Sequence, residues 1–187
     1  PLPANIEWSR LERIAQICGI QMVLGSHRTV ARRKEIETKN CLSIELGPAL
    51  PMESANVEPL YVDGQSLAMI LFTSGTSGDP KGVMLSDRNL LANAESILQY
   101  LPINGQDRSL LLLPFYHAFG HSILQTHLLS GATLIVDGNM ASPTSVVDAL
   151  ERHQATSFSA VPEGYYSLLS MSDLQARSLP HLRYMSV

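Results

Sequence analysis

The sequence predicts an α/β fold, in which a mainly parallel sheet carries helices on both faces. Short apolar segments of strand length alternate along the chain with longer segments whose apolar residues recur at helical spacing. This alternation implies right-handed crossover connections between parallel strands. Of the 187 residues, 45% are hydrophobic and 16% are charged, as expected for a folded domain with a core.

The first 64 residues predict two helix–strand steps followed by a loop. Residues 5–18 have helical spacing, and residues 20–24 are predicted to form a short strand. An exposed helix over 29–39 and a strand over 41–46 repeat the step. Prolines and a glycine then interrupt the chain up to residue 64, which predicts a loop.

Residues 65–187 continue the alternation. Ser86 is placed to cap a helix whose apolar residues lie on one face up to Leu101. The later strands are predicted at 109–113, 132–136, 156–161 and 182–187, with helices through residue 129, up to residue 153 and around 165–171.

The segment Leu67 to Val83 has the composition of a phosphate-binding loop at the end of a strand. Residues 67–72 are all apolar, which predicts a strand buried on both faces of a parallel sheet. The glycines that follow let backbone N–H groups approach an anion, while hydroxyls and one lysine add further donors. Because open α/β sheets bind ligands at the carboxyl ends of their strands, we expect a polyphosphate site here. The candidate residues are Thr73, Ser74, Gly75, Thr76, Ser77, Gly78 and Lys81.

Two other interpretations of this loop are disfavoured. A flexible Ser/Gly linker needs neither the apolar strand before it nor the lysine after it. A Walker-type loop has a different spacing and continues from its lysine to Ser or Thr, whereas Lys81 is followed by Gly82 and Val83.

The residues Phe72 to Gly82, Phe-Thr-Ser-Gly-Thr-Ser-Gly-Asp-Pro-Lys-Gly, resemble the signature loop of the adenylate-forming enzymes. This superfamily contains acyl- and aryl-CoA synthetases, luciferases and the adenylation domains of peptide synthetases. The resemblance implies that a carboxylate attacks the α-phosphorus of ATP, that pyrophosphate leaves, and that a thiol then takes the acyl group. It implies ATP and Mg²⁺ as cofactors, CoA or phosphopantetheine as acceptor, and an acyl carrier protein as a possible partner. It also implies that Thr73, Ser74, Gly75, Thr76, Ser77 and Lys81 hold the β- and γ-phosphates.

A second motif, Pro114-Phe-Tyr-His-Ala-Phe-Gly120, also follows a predicted strand. Its single imidazole lies among aromatic side chains, which favours a pocket wall with one polar tip. The motif resembles that of acyl- and aryl-acid ligases, in which this histidine borders the carboxylate and the acyl pocket. Amino-acid adenylation domains usually have Phe-Asp here, so the resemblance favours an acid without a free α-amino group. The candidate substrate-binding residues are Phe115, Tyr116, His117 and Gly120.

Composition excludes several other classes of function. The net charge of −4 argues against nucleic acid as a partner, and no apolar run has the length of a membrane span. Cys18 and Cys41 are predicted to be reduced thiols in a cytoplasmic protein. His117, His121 and His127 lack the acidic or cysteine partners of a zinc site, so no metal site is predicted.

The resemblance covers nearly the whole chain but only part of the family's N-terminal domain. Residues 1–187 are therefore expected to form a single partial domain, divided into 1–64 and 65–187, without the C-terminal domain and its catalytic lysine. We expect such a fragment to be inactive and to self-associate through exposed edges. No catalytic residue is assigned within it. Two alternatives stay open: a fragment of an amino-acid adenylation domain, and a non-catalytic remnant that binds a nucleotide.

Overall fold

A computed structural model describes residues 1–3, 5–25, 42–45, 61–73 and 81–187 of the chain. The chain divides into two compact units, each described by itself. Unit 1 comprises residues 1–63 and 72–83, and unit 2 comprises residues 64–71 and 84–187. The single domain expected from the sequence remains a prediction.

Unit 1 begins with a helix and two paired strands. Helix α1, Trp8–Cys18, ends at Gly19, whose left-handed conformation (φ 59°) lets its N–H donate to the carbonyls of Ala15 and Gln16. Strand β1, Met22–Gly25, pairs in parallel with β2, Leu42–Glu45. These elements confirm the predicted first helix and first two strands, whereas the predicted helix over 29–39 lies outside the described residues.

Strands β3, Leu67–Thr73, and β4, Lys81–Ser86, form a two-stranded sheet. The end of β3 lies beside the start of β4, because the Thr73 hydroxyl donates a hydrogen bond to the Lys81 carbonyl. The prediction of a strand buried on both faces of a parallel sheet is wrong here, because among the described strands β3 pairs with β4 alone and only Leu71 is buried. An unbroken apolar run does not by itself reveal what covers a strand.

Helix α2, Asp87–Tyr100, begins where the sequence predicts. The Ser86 hydroxyl accepts a hydrogen bond from the backbone N–H of Asn89 at 3.3 Å, and the Asn89 side chain accepts one from the backbone N–H of Ser86 at 3.0 Å. This reciprocal capping satisfies two N–H groups at the helix start.

The main sheet of unit 2 has four parallel strands in the order β6-β5-β7-β8. The strands are β5, Arg108–Leu111; β6, Thr133–Ile135; β7, Ser157–Ser159; and β8, Tyr184–Ser186. The helices between them are α3, Ala118–Leu129; α4, Pro143–Arg152; and α5, Pro162–Met171, followed by a short 3₁₀ turn at Leu174–Ala176. The predicted parallel α/β order is confirmed.

Helices cover both faces of this sheet. On one face, Leu110 and Phe158 lie side by side and pack with Val146, Leu150 and Leu168 of α4 and α5. Side chains alternate between the faces of a strand, so Tyr184, which forms a hydrogen bond with His127 of α3, belongs to the other face. The main core of unit 2 therefore lies between the sheet and α4–α5.

Two further expectations can be compared with the described residues. None of the helices in the described part is long and apolar enough to cross a membrane. Cys18 is a free, half-buried thiol, and Cys41 lies outside the described residues.

Candidate functional site

The two ends of the predicted phosphate loop meet at the base of the β3–β4 pair. The Thr73 hydroxyl donates a hydrogen bond to the Lys81 carbonyl at 3.4 Å. Both residues are exposed, so the side chains of Thr73 and Lys81 are open to solvent where the two described strands border the loop. The sequence-predicted pair Thr73 and Lys81 is thus brought together within unit 1.

The remaining loop residues lie outside the described part of the chain. They are Ser74, Gly75, Thr76, Ser77 and Gly78. Their predicted contact with phosphates stays a prediction.

In unit 2, the second motif forms a tight turn between β5 and α3. The backbone N–H of His117 donates to the Pro114 carbonyl at 3.1 Å, and that of His121 donates to the His117 carbonyl at 2.9 Å. His117 is the residue before the first turn of α3, but its side chain caps no backbone group. Its imidazole is therefore not required by the helix.

The His117 imidazole is exposed beside the Tyr116 ring. The two ring centroids are 4.5 Å apart, with the planes inclined by 50°. Phe115, the neighbouring aromatic residue, is 38% exposed. Within the described residues the His117 ring has no hydrogen-bond partner, so its nitrogens can serve a ligand.

Gly120 lies in the first turn of α3 and is buried. A Cβ atom at this position would lie 2.3 Å from the Pro114 carbonyl oxygen and 2.9 Å from that of Leu113. Glycine is therefore needed here for packing of the helix against the preceding turn. Its predicted role in substrate binding remains a prediction.

The other two histidines of this region are buried at their ring nitrogens. His127 is 3% exposed and bonds through Nδ1 to the Ile123 carbonyl at 2.8 Å and through Nε2 to the Tyr184 hydroxyl at 3.2 Å. Both nitrogens of His121 lack a partner among the described residues. Burial lowers the pKa of each imidazole, so both are neutral at pH 7.

At the carboxyl ends of β7 and β8, the structure assembles a group that sequence reasoning missed. The Tyr165 hydroxyl donates to the Ser186 carbonyl at 2.8 Å, and the hydroxyls of Ser159 and Ser186 are 2.6 Å apart. One feature of the sequence could have indicated that Tyr165 makes a hydrogen bond there. Tyrosine, rather than phenylalanine, stands in the first turns of a helix that directly follows a strand.

The amino ends of the strands carry a second polar group, which we call the Asp107 network: Asp107, Thr156 and Arg183. The fully buried Asp107 carboxylate accepts hydrogen bonds from the Thr156 hydroxyl at 2.8 Å and from Arg183 at 2.6 Å. Burial alone would raise the pKa of Asp107, but these bonds and one from the Asn104 N–H outweigh it and lower the pKa. Sequence reasoning identified no partner for this carboxylate.

Asp137, which follows β6, is also paired. Its carboxylate lies 2.6 Å from His153 Nε2 and 3.3 Å from Arg152. The hydrogen bond from His153 is the main reason that the pKa of Asp137 is lowered. This carboxylate is thus engaged within the fold, although it lies near the carboxyl end of a strand.

Comparisons with known proteins agree with this arrangement. The profile of a family described as AMP-binding enzyme matches residues 1–187. The 2-succinylbenzoate–CoA ligase of Bacillus velezensis is 30% identical over 94% of this chain, which spans 36% of the ligase. Tyrocidine synthase 3 of Brevibacillus parabrevis is 30% identical over 86% of this chain, which spans 2% of that protein.

A solved structure of a CoA synthetase also matches this chain in fold. O-succinylbenzoate coenzyme A synthetase from Bacillus subtilis, in complex with AMP, matches 98% of this chain with a TM-score of 0.76 and 25% identity. The match covers 46% of the synthetase. The chain therefore corresponds in fold to less than half of that enzyme.

Proposed function

The chain belongs to the AMP-binding enzyme family, and from this premise we propose that it binds the phosphates of ATP for the activation of a carboxylic acid. In the proposed reaction the acid's carboxylate attacks the α-phosphorus, forming an acyl adenylate and releasing pyrophosphate. A thiol then attacks the acyl carbonyl, and AMP leaves. The acceptor would be CoA or a carrier-bound phosphopantetheine.

The observation that carries the proposal is the meeting of Thr73 and Lys81 at the base of the glycine-rich loop. An ammonium group and a hydroxyl at the two ends of one loop suit an anion that lies along the loop. In phosphoryl transfer the protein acts mainly by positioning the reactants and stabilising charge. Lys81 would therefore bind and orient the phosphates.

The acid is proposed to lie by His117. The exposed imidazole, with Tyr116 and Phe115 beside it, offers one polar group next to aromatic surface. This suits a carboxylate attached to an apolar or aryl group. The relation of the chain to CoA ligases supports the same substrate class.

Mg²⁺ is proposed to accompany the nucleotide. This ion commonly binds substrate phosphates with one or two carboxylates and several waters. The described residues contain no group of three His, Cys, Asp or Glu side chains able to hold a metal. We assign no ligand of this chain to Mg²⁺, which would neutralise phosphate charge when it is bound together with the nucleotide.

A second candidate is a part of an amino-acid adenylation domain, which the relation to tyrocidine synthase 3 favours. Such a site needs an anion near the substrate's ammonium group. The position equivalent to that anion, by resemblance, is His117, and its exposed ring has no acidic partner among the described residues. Acid–thiol ligation is therefore the preferred function.

Calorimetric titration of the 187-residue chain tests the proposal. ATP·Mg²⁺ is expected to bind, and Lys81→Ala to weaken binding about tenfold, equal to ~1.4 kcal/mol. Tripolyphosphate is expected to compete with ATP, whereas adenosine is not. Arg10→Ala is the matched control, since it removes one positive charge from an exposed position of the same unit. Absence of ATP binding, or an equal effect of both substitutions, would contradict the proposal.

We further propose that the 187 residues do not form an adenylate by themselves, because the chain matches less than half of its CoA-ligase relatives. The measurement is ATP–pyrophosphate exchange with a panel of carboxylic acids and amino acids. Exchange above background with any acid would disprove this statement, and exchange with amino acids alone would favour the adenylation-domain alternative.

A further inference from the structure

The two hydrogen bonds of His127 fix which ring nitrogen carries its proton. Nδ1 lies 2.8 Å from the Ile123 carbonyl oxygen, which can only accept, so Nδ1 is the protonated nitrogen of the neutral ring. Nε2 is then the acceptor, and the Tyr184 hydroxyl donates to it at 3.2 Å. Tyr184 thus joins strand β8 to helix α3.

Tyr184 also lies next to a buried hydroxyl on strand β7. Ser157 and Tyr184 are partners in the parallel pairing of β7 with β8, so both side chains are on the face of the sheet toward α3. Burial raises the pKa of Tyr184, and the nearby Ser157 hydroxyl acts in the opposite direction. Ser157 is fully buried, and its oxygen makes no hydrogen bond with the described residues. It is therefore an open acceptor beside Tyr184.

A proton on His127 changes what Tyr184 can do. An imidazolium ring donates from both nitrogens, so the Tyr184 oxygen must accept from Nε2–H. The hydroxyl proton of Tyr184 then needs another acceptor, because a buried donor without a partner is costly. The Ser157 oxygen is in position to accept it.

The charges close to these side chains belong to the Asp107 network. Burial has the largest effect on His127 and lowers its pKa, whereas the Ile123 carbonyl and the Asp107 carboxylate favour the imidazolium. Arg183, the residue before Tyr184, is bonded to Asp107 at 2.6 Å. Its positive charge is thereby compensated.

The other elements packed against α3 direct their ionisable groups away from His127. Arg108 of β5 donates to the His153 carbonyl at 2.9 Å, and Asp87 of α2 lines a groove with leucines of α3. Strand β6 contains no ionisable residue. The remaining ionisable residues of α2 are exposed: Arg88, Glu95 and Tyr100. Tyr184 is therefore the side chain of the described part that must respond when His127 gains a proton.

We propose that His127, Tyr184 and Ser157 form a proton-responsive hydrogen-bond relay between α3, β8 and β7. When Nε2 of His127 takes up a proton from solvent, the Tyr184 hydroxyl stops donating to it and donates to Ser157 instead. No other covalent bond changes. The attachment of β8 to α3 thus depends on pH, and this inference is independent of the proposed function.

The test is NMR of the 187-residue chain, with ¹⁵N-labelled histidine, between pH 8 and pH 5. Ser157→Ala removes the acceptor that only the charged form needs, so the proton affinity of His127 should fall about two- to tenfold, as for the loss of one hydrogen bond. Ser109→Ala is the matched control. Ser109 is also fully buried without a partner among the described residues, but it is in register with Ser157 on β5 and is not paired with Tyr184. Its substitution should leave the proton affinity unchanged.

A double-mutant cycle separates the relay from a direct effect of Ser157 on the imidazole. In a Tyr184→Phe chain, adding Ser157→Ala should no longer change the proton affinity of His127. An equal effect of Ser157→Ala with and without the Tyr184 hydroxyl would overturn the inference, as would equal effects of Ser157→Ala and Ser109→Ala.

The unchanged chain supplies a test that needs no substitution. At pH 8 its His127 should show the ¹⁵N shifts of the ring protonated at Nδ1, and on acidification it should titrate while the chain is still folded. A proton on Nε2 at pH 8, or protonation of His127 only when the chain unfolds, would contradict the relay.

Discussion

At the amino edge of the four-stranded sheet Asp107, Thr156 and Arg183 bond to one another, whereas the carboxyl edge has, besides bonded hydroxyls, an exposed imidazole without a hydrogen-bond partner among the described residues. Asp107, Thr156 and Arg183 precede three different strands and form one network around a buried carboxylate. At the opposite edge, His117 is exposed and has no hydrogen-bond partner among the described side chains, although its ring lies beside that of Tyr116. The difference suggests that the amino edge maintains the sheet and that the carboxyl edge binds ligands.

Backbone bonds make the same distinction. At the amino edge, the N–H of Thr156 donates to Arg108, and the N–H of Arg183 donates to Thr156, so each strand start holds its neighbour. At the carboxyl edge, Tyr165 supplies a side-chain bond to the last carbonyl of β8. Substitutions at the two edges should therefore separate stability from binding, and the following predictions test this from the largest expected effect to the smallest.

Gly120→Ala should be the most destabilising substitution, although it lies at the carboxyl edge. Its Cβ would lie 2.3 Å from a backbone oxygen, and overpacking of this kind costs up to ~3 kcal/mol or more. Urea unfolding measures the loss. The control is Gly105→Ala, where the nearest atom to the new Cβ is 3.6 Å away. Equal stability of the two variants would contradict the packing role of Gly120.

Asp107→Ala should lower the free energy of unfolding by about 2 kcal/mol, because the Thr156 hydroxyl and the Asn104 N–H lose a buried, charged acceptor. Asp148→Ala is the control. It removes a half-exposed partner of Arg177, which keeps Glu151 and Asp173, and such surface pairs contribute at most ~1 kcal/mol. If both variants unfold at the same urea concentration, the amino edge is not the stabilising element described here.

Acidification should destabilise the chain through His127. Burial lowers its pKa below 6.5, so unfolding exposes a group that takes up a proton at acidic pH. The contribution of neutral His127 is complete above pH 6.5 and is lost as the pH falls toward the lowered pKa. Each pKa unit of the shift corresponds to ~1.4 kcal/mol.

Urea unfolding between pH 8 and pH 5 measures this loss. His127→Gln should reduce the slope of stability against pH in that range, and His121 should contribute to the slope that is left because its pKa is lowered in the same direction. An unchanged slope in His127→Gln would show that His127 is not a source of the loss of stability at acidic pH. The lowered pKa of Asp107 adds a further loss only at more acidic pH, as the pH falls through that pKa.

His117→Ala should have the smallest effect on stability, within about 0.5 kcal/mol, because its exposed ring makes no hydrogen bond with the described residues. It should instead weaken the binding of a carboxylic acid in the presence of ATP·Mg²⁺, measured by calorimetry. His181→Ala, at an exposed position close to the amino edge, is the control and should leave acid binding unchanged. A stability loss in His117→Ala as large as that of Asp107→Ala would remove the contrast between the two edges.

Several features of the fold could be predicted because their signals are local. Ser86 caps a helix that begins at the next residue, Asp87, and Gly19 ends α1 in a conformation that glycine adopts readily. The predicted phosphate binding of the loop likewise depends on residue types that are consecutive in the sequence, from Thr73 to Lys81. The sequence analysis assigned Thr73 and Lys81 to one candidate site, but it predicted neither their hydrogen bond nor the strand β4.

Other features depend on residues that are distant in sequence. The apolar run of β3 predicted a strand covered on both faces, yet in the described sheet it pairs with β4 and stays largely open. Asp107 and Arg183 are separated by 76 positions, and Tyr165 and Ser186 by 21. No local pattern indicates that these groups meet.

By itself, the sequence determined the order of the described helices and strands apart from β4, the cap of α2 at Ser86, the parallel α/β class and the chemical character of the two motifs. These follow from periodicity, capping residues and glycine, whose effects extend over a few neighbouring positions. Tertiary structure alone decided which carboxylate is buried and paired, which imidazole is left exposed, and which hydroxyl holds the end of β8. Hydrogen bonds depend on distances of about 3 Å between atoms, and for residues far apart in the chain only the packed fold sets such distances.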